Sequence, residues 1–395
     1  MANIPVKWVH SGMRGAPVIS GTAGTLIAAI KAFLITGFAP TAAVSATVAD
    51  GIATIMLPSG QSFEEHAVVL IAGGTPAEFN GEARVLTTAS DRITIATTAP
   101  NGPITGSITV RYAPAGGWEE VFSKTNVSVF RSTDPTGSRF YLRVDDTGTT
   151  FARVVAYESM MDVDTGTGPF PSAAQSNGGG YWHKSGAANT TTIRWKMFSD
   201  SRFFSLAVAS NSQQGPLFTS APLRGFGDPI ALSPSGDVWS SLICVSGSGN
   251  TNNAGFLDSC VTSNAGNGIH CARAINGFGG SVVCHPKAYT SRDSDVSGVS
   301  SFLGIAPSTV DGEIKHSRLF FAEAASNSPP RAETPGVLFI PQSGVTNLLS
   351  DGDIVNGAGA LQGRRLMAVN TSTNQGISSS LGAYFVDITG PWRLS

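Results

Sequence analysis

Residues 44–112 alternate apolar with small or polar side chains between turn dipeptides, a pattern that confines this stretch to short β-hairpins. Val44-Ser45-Ala46-Thr47-Val48 and Ile52-Ala53-Thr54-Ile55-Met56 flank Asp50-Gly51. That dipeptide is a strong hairpin signal, because a type I′ turn needs positive φ at both central residues. Arg84–Thr87 and Ile93–Ala96 flank Ser90-Asp91 as a second hairpin, Val68–Ile71 is a continuous apolar strand, and Ile104–Val110 closes the set. Some six short strands in about 70 residues are enough for a small barrel or sandwich.

The preceding segment is apolar but reads differently. Between Val18 and Ala39 the densest part, Leu26 to Ile35, is interrupted by Lys31 and would extend only about 15 Å as a helix, half of what a bilayer requires. Leu26, Ile27, Ile30, Phe33 and Leu34 fall on one helical face, with Gly24 and Gly37 at its ends. The expectation is a short amphipathic helix in an arm spanning residues 1–43, docked on a partner protein or on the chain's own domain, with no membrane insertion.

Beyond the small domain, Ala113-Pro114-Ala115-Gly116-Gly117 reads as a linker, so a third region spans 113–395 with a sub-boundary near 211. Strands are expected at Val127–Phe130, Phe140–Val144, Phe151–Tyr157, Ile193–Phe198 and Phe203–Val208, and again near Leu242–Val245, Val337–Ile340, Leu366–Val369 and Tyr384–Ile388, among Gly/Ser/Asn-rich loops. The fold class is therefore mainly β: a small β-barrel or sandwich, then a larger β-sandwich-like domain, with one short N-terminal helix. No fixed-period repeat or long heptad run points to a fibrous shaft. Only 13% of the 395 residues are charged, about half the usual share, which suits a surface covered by other subunits. A net charge of −2 argues against a grip on nucleic acid.

Three residue constellations bear on chemistry. Cys244, Cys260, Cys271 and Cys284 share one window with His270 and His285 nearby; free buried thiols, one or two disulfides and a metal site are the three readings, and the wide spacing disfavours metal. Asp162-Val163-Asp164 begins like a calcium loop, but Ala173 stands where the closing carboxylate belongs, leaving a hydrated turn. Tyr181, Trp182 and Trp195 could stack on a glycan or fill a partner's pocket, or simply lie in a sheet core. Nucleophile-elbow, zinc-protease and P-loop motifs are missing from the sequence, so no enzyme, cofactor or metal is expected.

One resemblance remains. Trp8-Val9-His10-Ser11-Gly12-Met13-Arg14-Gly15-Ala16-Pro17, Asn80-Gly81-Glu82, Gly117-Trp118-Glu119 and the ending Phe385-Val386-Asp387-Ile388-Thr389-Gly390-Pro391-Trp392-Arg393 resemble proteins of tailed-bacteriophage tail and baseplate modules. The resemblance covers about the first 210 residues and the end of the chain. It implies a virion structural protein of the phage tail or baseplate, assembled in the host cytoplasm by contacts with other tail proteins. A trimeric or sixfold-compatible homo-oligomer goes with that location. A receptor- or glycan-binding tail fibre or tip protein that meets a host cell-surface receptor, and a capsid decoration protein, are the alternatives.

Overall fold

The computed structural model describes residues 4–61, 63–209, 223–232, 239–244, 268–274, 279–288, 304–323, 329–342, 344–371 and 382–393. The protein is mainly β, with several antiparallel sheets, one of them curled as a half-barrel, and one short helix. Every strand pairing among the described residues that builds these sheets is antiparallel.

The small domain is an eight-stranded sheet, and its alternation is the one the sequence carries. Strands Ser45–Ala49 and Ile52–Met56 pair across a turn in which Asp50 and Gly51 take φ of 51° and 76°, the left-handed pair that type I′ requires. Ala46, Val48, Ala53, Ile55, Val85, Ile93 and Ile95 point inward and are buried, while Thr47, Thr54, Thr87 and Thr94 form a row on the opposite face. Phe38–Ala42, at the end of the expected arm, is itself a strand of this sheet and pairs with Thr109–Tyr112.

The region from 113 onward holds two sheets. A six-stranded sheet runs from Trp118–Lys124 to Gly180–His183; its ten-residue strand Phe151–Met160 carries Gly166–Phe170 along one half and Gly180–His183 along the other. A thirteen-stranded sheet takes up the rest. Strands Phe203–Val208 and Leu223–Gly227 pair antiparallel within it, and the sub-boundary expected near 211 lies outside the described residues. The first strand of the chain, Lys7–His10, is the terminal strand of this sheet and pairs with Trp195–Ser199. The opposite end is Ile354–Asn356.

The helix Thr25–Lys31 continues as a π-turn, Ala32–Thr36, and stops at Gly37. Leu26, Ile27, Ile30, Phe33 and Leu34 are buried in the chain's own core together with residues of all three sheets. Their apolar stripe is covered by the chain itself, so this face is not a docking surface for a neighbouring protein. Of the two outcomes the helical spacing allowed, packing on its own domain is the one observed.

Candidate functional site

The four segments that carry the resemblance lie far apart in sequence and meet along one seam between the sheets. Lys7 is buried, pairs with Glu82 at 2.9 Å and donates to the Ala115 carbonyl at 2.7 Å. Burial pushes its ammonium pKa down, and the Glu82 carboxylate offsets part of that. Asn80, two residues before Glu82, donates to the Gly74 carbonyl (2.7 Å) and accepts from the Gly74 N–H (2.8 Å), squaring the turn that presents Glu82. The Trp118 indole N–H donates to the Asp200 carbonyl at 2.9 Å, with its ring edge-on to Phe204. At the chain's end, Trp392 donates to the Asp387 carbonyl (2.7 Å) and Arg393 donates to the Asp200 carboxylate (2.9 Å).

Arg84 joins these pieces. Its guanidinium donates to the carbonyls of His66 at 2.7 Å and Ile388 at 3.0 Å, tying the small domain to the last strand. Gly117 sits at φ 71°, and a Cβ there would lie 2.7 Å from the Ser201 side chain, so the linker approaches the large sheet more closely than any other residue permits.

A second set of pins fixes the helix. Asp146 and Lys184 form an ion pair in which both side chains are 0% exposed. The Asp146 carboxylate accepts the backbone N–H groups of Leu26 (2.8 Å) and Ile27 (3.3 Å), while Lys184 donates to the Thr22 carbonyl at 2.8 Å. Gly24 at the N-cap offers no side chain, so a carboxylate 120 positions away in sequence does the capping. Burial pushes the Asp146 pKa up and the Lys184 ammonium opposes it. The sequence placed Asp145-Asp146-Thr147-Gly148 in a turn; nothing local marks Asp146 as a long-range cap.

Beside the seam opens a cleft of about 610 Å³. Trp8, His10, Arg194 and Lys196 line one side, from one end of the thirteen-stranded order; Asp351, Ile354 and Met367 line the other, from the opposite end; Glu64 and Glu65 enter from the small domain. The long sheet therefore curls until its two ends face each other. Lys196 and Asp351, both nearly buried, bridge that gap as an ion pair, and burial lowers the Lys196 pKa. Asp351 also accepts the Asn370 N–H at 3.1 Å.

His10 is the residue in the cleft best suited by type to acid–base work. Its Nδ1 accepts the Gly12 N–H (3.0 Å), which leaves the ring proton of the neutral tautomer on Nε2, donated to Glu64 at 2.8 Å. Both ring nitrogens are thus engaged, and the imidazole presents no base to a substrate without breaking a bond. Acidic and basic side chains here latch elements together. Among the described residues no group of three or more His, Cys, Asp or Glu is placed to hold a metal ion.

The remaining residues singled out in the sequence are placed as follows. Trp182 and Trp195 are fully buried, their indole N–H groups donating to the carbonyls of Ile243 (2.8 Å) and Pro17 (3.1 Å). They are core residues and present no stacking face to a glycan, because the inward side of each strand carries them. Tyr181 is half-buried, edge-on to Phe151 and beneath the Arg153 guanidinium at 4.0 Å. Cys244, Cys271 and Cys284 are buried free thiols; Cys260 lies outside the described residues. Asp162 accepts the N–H groups of Asp164 and Thr165, and Asp164 pairs with Lys124 and Arg143, so these carboxylates close a turn and bind cations of the chain itself.

Among the described residues the fold and the seam define a mainly β protein of antiparallel sheets whose inward-facing charged side chains join those sheets. No family model matches the chain, and no curated protein matches it either.

Proposed function

We propose that this chain is a structural protein of a tailed-bacteriophage virion, a component of the tail or baseplate that works by protein–protein contact. The observation that supports this reading most is the convergence of the resemblance segments on the seam. Trp8, Glu82, Trp118 and Arg393 from these segments, with Lys7 and Ala115 just outside them, are occupied in long-range contacts that hold three sheets together. A sequence pattern spent on architecture suits a family defined by shape. The low charge content suits a body whose outer faces are covered by other subunits, either copies of itself or neighbouring tail proteins. A receptor-binding role keeps only the half-buried Tyr181 of its three aromatics, since Trp182 and Trp195 are core residues.

The test is immunogold electron microscopy of purified virions with antibody against residues 113–395. Label at the tail end is the expected outcome. Label on the head would replace the tail assignment with capsid decoration, and absence of the protein from virions by mass spectrometry would end the structural reading altogether.

A further inference from the structure

The thirteen-stranded sheet places two of its cysteines side by side. Strands Ile269–Cys271 and Val282–Ala288 pair antiparallel, with Ile269 opposite Cys284 and Cys271 opposite Val282. The two cysteines are therefore diagonal neighbours, and side chains two residues apart share a sheet face. Their Sγ atoms stand 3.3 Å apart, both side chains fully buried. A disulfide bond of about 2.05 Å needs the sulfurs about 1.3 Å closer, and because diagonal partners stand about 7–8 Å apart at the backbone, closure takes a local backbone adjustment as well as side-chain rotation.

We propose that Cys271 and Cys284 are an oxidation site: a thiol pair that closes into a cross-strand disulfide when the protein meets a disulfide oxidant such as oxidised glutathione. One cysteine thiolate attacks a sulfur of oxidised glutathione and releases one glutathione thiolate, leaving a mixed disulfide. The second cysteine thiolate then displaces the other glutathione thiolate from that mixed disulfide. The protein loses two electrons and two protons, and one oxidised glutathione becomes two reduced molecules.

Burial governs when this happens. The Cys271 thiol is pushed well up, first by burial and then by its neighbour Cys284, so the attacking thiolate is scarce in the closed sheet. The pair stays reduced where free thiols are plentiful and closes through opening of the three-residue strand Ile269–Cys271. Cys244 provides a contrast within the same sheet. Burial pushes its pKa up to about 12, and its charged neighbours are Arg224 and Arg153.

The full-length protein would be incubated with oxidised glutathione, and a second sample refolded from denaturant in a glutathione redox buffer. Both are then alkylated under denaturing conditions and digested with trypsin. Arg273 and Lys287 divide the chain so that Cys284 leaves on its own peptide, apart from Cys271. The expected product is peptide 274–287 joined to peptide 225–273 through Cys271, formed in wild type and in Cys244→Ser and absent in Cys271→Ser. Alkylated Cys284 in both samples would overturn the proposal. So would a link from Cys284 to Cys244 or Cys260 in place of Cys271.

Discussion

The eight-stranded sheet and the seam that joins it to the rest of the chain are held by different physics. In the sheet, each strand meets a neighbour through alternating side chains and tight turns, and most of the stabilisation is apolar burial over pairs such as Ile55 with Ile93. In the seam, buried and half-buried charges carry the connection, Lys7 to Glu82 and Arg84 to the Ile388 carbonyl, and the buried pair Lys184 and Asp146 does the same for the helix. Alternation makes a sheet but says nothing about where a second sheet sits against it. Long-range charged contacts do, because a buried charge tolerates only the arrangement in which its partner is in place.

The sharpest way to break the comparison is Asp146→Ala. It strands the buried Lys184 ammonium and removes the cap from Leu26 and Ile27. A loss of about 3–5 kcal/mol is expected, read by chemical denaturation. The double variant Asp146→Ala with Lys184→Met should recover much of it, because no charge is then left buried alone. Equal damage in both variants would mean that the cap, and not the charge pair, dominates.

Two glycines give the next contrast. Gly117→Ala places a methyl group against Ser201 at a left-handed φ and should lower stability by about 2 kcal/mol or more, whereas Gly51→Ala keeps the φ strain but meets only the Thr97 carbonyl at 3.7 Å and should cost about 1 kcal/mol. Thermal melts of the two variants side by side decide whether the linker or the hairpin is the less forgiving.

His66 lies at the edge of the seam, its carbonyl accepting from Arg84 and from the Trp8 indole. Burial holds its imidazole below the ordinary value of 6.5, with Arg365 and Arg84 acting in the same direction against Glu65. Below pH 6.5 the unfolded chain takes up a proton that the native one refuses, so stability falls as pH drops from 6.5 toward the depressed native value. His66→Asn should flatten that slope, since Asn accepts the φ of 67° found there. Denaturation midpoints between about pH 7 and pH 5 read the difference.

The smallest effect belongs to the exposed pair Lys124 and Asp164 at 2.6 Å. Lys124→Ala should leave the melting temperature unchanged within repeat scatter at moderate salt, the opposite of the buried pair on the same six-stranded sheet.

The strands were legible because period-two patterning and turn chemistry are local. Asp50-Gly51 announced its hairpin, and Leu366–Val369 and Tyr384–Ile388 announced strands despite the loops around them, though not that the two pair. The helix was legible from Leu26, Ile27, Ile30, Phe33 and Leu34, but the same stripe fits a partner's groove or the chain's own core equally well. Trp182 and Trp195 looked alike as ring-bearing strand residues whether they faced a ligand or the interior. Asp146, Arg84 and Lys7 gave no signal, since a buried charge is recognisable only when its partner, tens to hundreds of residues away, is known. The sequence by itself determined a mainly β chain, its hairpins and its apolar helix, through interactions between residues close along the backbone. The tertiary structure alone decided which faces are covered, which charges are buried together and which two of the three described cysteines touch, because each depends on contacts that no local pattern encodes.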